Sequence, residues 1–228
     1  MTEAPILTNE QRVEINIIYE ELLRDASVFM EDDSDSHVKK AFDIALKHKG
    51  NDSAKSGRHA IYKTLDVAKI IVNEIGLGKT SLICTLLYDT VHNNQIPISE
   101  IEKEFSPQVT EIIKGLSKAS QLYERSAAIE TENFRQLLLT FAQDIRVILI
   151  MVADRLHIMR YLGYYSNEDQ VKIARETSYL YAPLAHRLGL YTIKSELEDL
   201  SLKYTNRVLY KEIATKLNET KRARDAYI

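Results

Sequence analysis

Two aspartates lie in helical, largely apolar contexts: Asp89 in LLYDTV and Asp154 in MVADRLHIM. A carboxylate in such a setting needs a counter-charge, a hydrogen-bond donor or a metal ion, because burying it alone is costly. An adjacent His-Asp pair on one helix presents an imidazole nitrogen and a carboxylate oxygen to a single divalent ion. A His from an earlier helix and an Asp from a later one then complete a site that orients phosphate oxygens and activates water. Here the residue before Asp89 is Tyr88, and a neutral phenol is a poor metal ligand unless it ionises. Spacing alone leaves two readings open: a metal site depleted of its imidazoles, or two aspartates that cap or salt-bridge their neighbours.

The composition narrows the classes of function. The chain has 228 residues, 28% of them charged, with a formal net charge of −3 and only seven Gly and four Pro. This length supports one substantial core, and the charge suits amphipathic helices with solvated faces. A general nucleic-acid binder needs an excess of Lys and Arg to neutralise phosphates, so that class is excluded, although a local basic pocket is not. Cys84 is the single cysteine and forms no internal disulfide; within SLICTLL it reads as a small buried hydrophobe. No signal peptide opens the chain, and no uninterrupted apolar run reaches the ~20 residues that span a bilayer. A cytoplasmic protein without membrane contact is expected.

The elements that must position the two aspartates are helices. Thr8 opens a Thr-x-x-Gln capping box, followed by Val13, Ile15, Ile17, Ile18, Leu22 and Leu23. EDDSDS supplies caps for a second helix bearing Val38, Phe42 and Leu46. GNDSAKSG reads as a loop, and helices resume at VAKIIVNEI and SLICTLLYDTV, separated by Gly76 and Gly78. Pro97 and Ser99 start a short helix through Phe105, and Pro107 suits the first turn of the next. Residues 118–131 lose the apolar period and are expected to form a loop, whereas 132–162 carry two apolar helices. Asn167 with Gln170 makes a second capping box for a helix that Gly189 stops. The last helices cover 193–204 and 210 onward. With neither a strand-like alternation nor an internal repeat, the expected fold is an all-α, multi-helix bundle.

Three segments resemble the hydrolase domain of the long RelA/SpoT homologues, enzymes of the (p)ppGpp alarmone. TENFRQLLLTFAQDIRVILIMVADRLHIMRYL is similar to that domain's signature, and ARETSYLYAPLAHRLGLYTIKSELEDLSLKY to the stretch that follows it. SGRHAIYKTLDVAKIIVNEIGLGKTSLICTLLYDTVHNN is similar to its earlier, metal-binding part. The resemblance covers residues 40–205. It implies an HD-type, metal-dependent phosphohydrolase fold over 1–205, with 206–228 a helical connector toward a synthetase domain.

Residue by residue, the resemblance implies a degenerate site. The family's first metal-binding His, in Gly-x-x-Tyr-x-x-His-Pro, falls on Lys63, and its His-Asp pair on Tyr88-Asp89. The Glu-Asp pair implicated in catalysis falls on His92-Asn93, while the final metal Asp survives as Asp154. An ammonium has no lone pair to offer a metal. The nucleotide pocket departs too. Lys55 remains of a basic pair, Met151 stands for a Lys, Ile158 for an Asn and Tyr161 for a Thr, while Arg155 is kept within the helix signature. Two carboxylates without a dication repel each other. Lys63 is therefore expected to pair with Asp89, Asp154 or both, with Tyr88 donating into the same network. The competing reading leaves Lys63 as a surface residue.

Other polar residues have plainer roles. His59 serves as a ligand only if the register slips against VAKI. His92 lies one turn from Asp89, but an i,i+3 pair cannot replace ligands from separate helices. His157, His186 and Arg187 read as structural, Tyr161, Tyr164 and Tyr165 as a core edge, and Lys221, Arg222 and Arg224 as a solvated face.

The function the resemblance implies, with its site residues replaced, is a (p)ppGpp hydrolase-like domain without hydrolytic activity or resident cofactor. It would regulate the synthetase domain of the same polypeptide, a GTP pyrophosphokinase. A divergent Mn2+-dependent (p)ppGpp 3′-pyrophosphohydrolase and a non-hydrolysing module that binds a guanine nucleotide are the alternatives.

Overall fold

The structure, a computed structural model, describes residues 7–27, 35–50, 54, 57–93, 96–125 and 144–225. Among these residues there is no β-strand beyond an isolated bridge at His59. The chain is all-α and divides into two compact units, Met1–His157 and Ile158–Ile228.

In the first unit α1 (Asn9–Ala26) opens on the expected capping box. The Thr8 hydroxyl accepts from the Gln11 N–H at 3.2 Å, and the Gln11 side chain accepts from the Thr8 N–H at 2.9 Å. α2 (Asp35–Lys49), α3 (Ala60–Lys69) and α4 (Lys79–His92) follow, then α5 (Ile98–Glu104) and α6 (Pro107–Arg125). α7 (Ile145–Arg160) gives this unit its residues up to His157. α4 packs on α2, α3 and α6. A helix covered on several sides must be apolar nearly all round, and Leu82, Ile83, Cys84, Leu86 and Leu87 are all buried. Each such leucine contributes about 1.5–3 kcal/mol relative to an exposed one. This central helix delivers Tyr88 and Asp89 to its C-terminal end.

The second unit begins with the end of α7 and a 3-10 turn at Leu162–Tyr164. It continues with α8 (Asn167–Glu176), α9 (Ala182–Arg187), α10 (Tyr191–Thr205) and α11 (Arg207–Asp225). Leu162, Leu180, Leu184 and Leu197 form its core. Arg160 makes a two-pronged contact with Glu196, both nitrogens at 2.7 Å. Gly189 ends the preceding helical run with φ +75, a conformation that strains any side chain. No helix of the described residues is long and apolar enough to cross a membrane.

Several boundaries differ from those read in the sequence. α3 starts at Ala60, because Ile61 and Leu65 already place an apolar stripe one turn before VAKI. α6 continues through Arg125 instead of giving way at 118, with Ala119 still buried; residues 126–143, where the rest of the expected loop and most of an expected helix fall, lie outside the described residues. The cap of α8 is Ser166, whose hydroxyl accepts from the Asp169 N–H at 3.1 Å. Gln170 does not close a box there: its amide donates to the Tyr165 carbonyl at 2.9 Å and its oxygen accepts from Arg207 at 2.7 Å. α11 begins at Arg207, where the Asn206 side chain accepts from the Leu209 N–H at 3.1 Å. Two π-helical turns, Ile70–Ile75 and Thr177–Tyr181, have no counterpart in the sequence reading.

Gly115 marks a tight approach of α6 to α7. A Cβ there would lie 2.8 Å from Val147 Cγ2, and Val147 is buried and stiff at χ1. Ala gains about 1 kcal/mol of helix propensity over Gly, but overpacking costs about 1–3 kcal/mol. Gly115→Ala is therefore expected to destabilise by about 1 kcal/mol, read as a lower denaturant midpoint at unchanged m-value; a stabilised variant would show that Val147 yields freely.

Candidate functional site

The end of α4, the middle of α3 and the middle of α7 bring three charged side chains together. Lys63 Nζ lies 2.8 Å from Asp154 Oδ1 and 3.6 Å from Asp89 Oδ2. The three side chains are 27%, 35% and 27% exposed, respectively. Lys63 thus projects between the two carboxylates and not into solvent. One turn along both α3 and α7, His157 Nδ1 is 3.8 Å from Asp66 Oδ2. Lys63/Asp66 on one helix and Asp154/His157 on the other form a two-rung polar ladder with i,i+3 spacing on each side.

The electrostatics follow from these contacts. Burial alone would raise the carboxyl pKa of Asp154. The charge and hydrogen bond of Lys63, with His157 and Arg155 adding, outweigh it and hold the group below the usual carboxylate range. Tyr88 moves the other way. Burial pushes its phenol up to about 12; a hydrogen bond with Ser120 opposes the rise, the charges of Asp154 and Asp89 add to it, and Lys63 opposes it. The phenol therefore stays protonated at neutral pH, and as a neutral group it offers a metal little.

The other expected residues are placed as follows. His92 stacks on Tyr88 with ring centroids 5.4 Å apart. Asn93 is the exposed C-cap of α4, its N–H donating to the Asp89 carbonyl at 3.1 Å. Met151 and Arg155 stand four residues apart on α7, Arg155 buried. Ile158 and Tyr161 belong to the second unit, where Tyr161 stacks on Tyr164 at 6.3 Å. Lys55 lies outside the described residues. His59 is buried at the N-cap position of α3 without a side-chain capping bond, and it is Lys63, four residues on, that reaches the carboxylates.

The family resemblance implies a divalent metal here, and the residues do not fit one. Among the described residues no group of three or more His, Cys, Asp and Glu side chains is gathered to hold an ion. The position between Asp89 and Asp154 is taken by an ammonium.

Sequence reasoning missed Ser120, the partner of Tyr88, and the Asp66–His157 rung. The i,i+3 charge pattern on α3 and α7 could have suggested the rung; nothing marks Ser120. It also missed a cleft of about 570 Å³ beside His92, where α6 contributes Lys114, Ser117, Lys118 and Gln121 and the start of α5 an apolar wall. Lys114 is already engaged there, 2.7 Å from Glu102.

Comparison with known proteins agrees with this architecture. The HD domain family matches residues 41–191. A GTP pyrophosphokinase of Myxococcus xanthus is 39% identical over 196 residues, 84% of this chain and 26% of that protein. A guanosine-3′,5′-bis(diphosphate) 3′-pyrophosphohydrolase of Aquifex aeolicus is 34% identical over 191 residues, 84% of this chain and 27% of that protein. A probable GTP pyrophosphokinase of Mycobacterium leprae is 36% identical over 218 residues, 96% of this chain and 27% of that protein. The chain spans about a quarter of the length of these curated relatives. With helices through the described residues and the HD match over most of its length, the chain belongs to the HD domain family, and its homologues are GTP pyrophosphokinases and a pyrophosphohydrolase of the RelA/SpoT type.

Proposed function

We propose that this chain is a (p)ppGpp hydrolase-like domain that does not hydrolyse and needs no metal, acting as a regulatory and structural part of a GTP pyrophosphokinase. One observation carries the reading: the Lys63 ammonium sits between Asp89 and Asp154, beside a protonated Tyr88, where a hydrolytic ion would have to bind. Without an ion there is no activated water and no Lewis acid for the phosphate oxygens. His92 and Asn93 supply no carboxylate to act as general base at the adjoining positions.

Residues 1–205 would act as the hydrolase-like part and 206–228 as the connector to a synthetase domain of the same polypeptide. α11 favours this role, since Val208, Leu209, Ile213 and Leu217 expose apolar surface that a partner domain would cover. Incubating the purified protein with ppGpp and MnCl2 tests the reading. No pyrophosphate release is expected, and turnover dependent on Mn2+ would establish the divergent hydrolase in its place.

A second reading, a module that retains a guanine nucleotide without cleaving it, draws on the cleft beside His92. Its volume is in the range of small-molecule sites, and its lining combines Lys114 and Lys118 with the apolar side chains of Ile96, Pro97 and Ile98. Calorimetry with ppGpp in metal-free buffer separates the two. Heat of binding that disappears in Lys118→Ala favours the nucleotide module, and its absence favours a purely structural domain.

A further inference from the structure

We propose that Lys63 is a tethered internal cation that takes over the structural place of a metal, joining α3 to α7 through Asp154 and to α4 through Asp89, and that it keeps divalent ions off both carboxylates. The inference deepens the reading of this chain as a non-hydrolysing domain and rests on it.

Three observations carry it. First, one nitrogen is within ion-pair distance of carboxylates from two other helices, at 2.8 and 3.6 Å. Second, all three side chains are about two-thirds or more covered, so water screens them less than it screens a surface pair. Third, the Lys63–Asp154 contact is one rung of the α3–α7 ladder whose other rung is Asp66–His157. Losing the ammonium would leave two carboxylates facing each other across a partly dry gap, and an uncompensated buried charge is among the costlier defects a fold can carry.

The same geometry explains why a dication does not enter. Two carboxylates and water make a weak site for a hard cation, one that lacks the ligand number and rigidity of dedicated cages. An ammonium on the same chain competes at an effective concentration of about millimolar, set by its short tether. It pays no association entropy, whereas a free ion must both bind and expel the lysine. Removing the lysine should therefore have two linked effects: the fold weakens, and the bare pair of carboxylates begins to respond to divalent ions.

Thermal unfolding of the 228-residue protein, of Lys63→Ala and of the triple variant K63A/D89N/D154N, each in EDTA and in MnCl2, tests the proposal. The unsubstituted protein is expected to melt at the same temperature in both buffers. In EDTA, Lys63→Ala is expected to melt about 4–8 °C lower, and MnCl2 should restore part of the loss. The triple variant, relieved of both charges, should recover most of the stability in EDTA and show no response to Mn2+. If Lys63→Ala does not fold in EDTA, a folded triple variant supports the proposal and an unfolded one overturns it. An unchanged melting temperature for Lys63→Ala in EDTA, or a rise on adding Mn2+ to the unsubstituted protein, also overturns it. Pyrophosphate release from ppGpp by the unsubstituted protein would defeat the proposed function instead, and it is read in a separate assay.

Discussion

The double variant K63H/Y88H is expected to bind a divalent metal, with a melting temperature that rises by about 5–10 °C at saturating Mn2+. The carboxylates that such an ion requires, Asp89 and Asp154, already converge on one point, the Lys63 nitrogen. An imidazole nitrogen ends nearer the backbone of α3 than a lysine nitrogen does. A metal–nitrogen bond of ~2.1 Å makes up the difference and puts the ion close to where the ammonium now sits. At position 88, imidazole replaces a phenol that burial keeps protonated, exchanging a neutral hydroxyl for a lone pair. Excess metal at about 100 times its dissociation constant stabilises by about 2.7 kcal/mol, which for a chain of this size corresponds to the expected shift. Adding Asp154→Asn to the double variant should abolish the response. Binding is expected without hydrolysis, because His92 and Asn93 still provide no carboxylate base. No Mn2+ response in a folded K63H/Y88H protein would mean that the carboxylates alone do not preserve the geometry of a metal site.

What the sequence made legible divides along a physical line. Features set by nearest neighbours were readable: the Thr8 capping box, the stop at Gly189, the starts of α5 and α6 at their prolines and the all-α class from 3.6-residue periodicity. Lys63 was readable only through the family resemblance, which puts it at the position of a metal-binding His and so beside two carboxylates that would otherwise repel each other. Features set by packing were not. The π-helical turn at Ile70–Ile75 depends on how α3 settles against α1 and α4, since a shift of hydrogen-bond register leaves no mark on local propensity. The α6 segment from Lys118 to Arg125 lacks a full apolar stripe yet stays helical, carried by the packed turns before it. Ser120 meets Tyr88 only because α6 packs on α4, and Asp66 meets His157 only because the fold brings side chains of α3 and α7 within reach of each other. The cleft beside His92 is assembled from α4, α5 and α6, and no single stretch announces it.

Phe42→Ala is expected to cost about 3–5 kcal/mol, more than any ion-pair substitution at the site. Phe42 is fully buried on α2, and its ring stacks on that of Tyr19 with centroids 4.0 Å apart and planes 15° from parallel. Truncation removes the transfer free energy of the ring and leaves a cavity that packed helices close only in part. The stacked pair adds about 0.5–1.5 kcal/mol beyond area, and Lys39, its nitrogen 5.1 Å from the ring centroid, loses a small cation–π contribution. The melting temperature should fall by about 8–16 °C. Phe42→Leu keeps most of the volume and should cost less than about 1.5 kcal/mol, so the pair of variants separates packing from any effect of position. The comparison with Lys63→Ala has a further use. α2 packs on α4, and α4 carries Tyr88 and Asp89. If Phe42→Ala weakens the fold more than Lys63→Ala, the apolar core positions the carboxylates and the lysine neutralises what the core has gathered. The reverse order would make the internal cation the principal tie among α3, α4 and α7, with the core shaped around it.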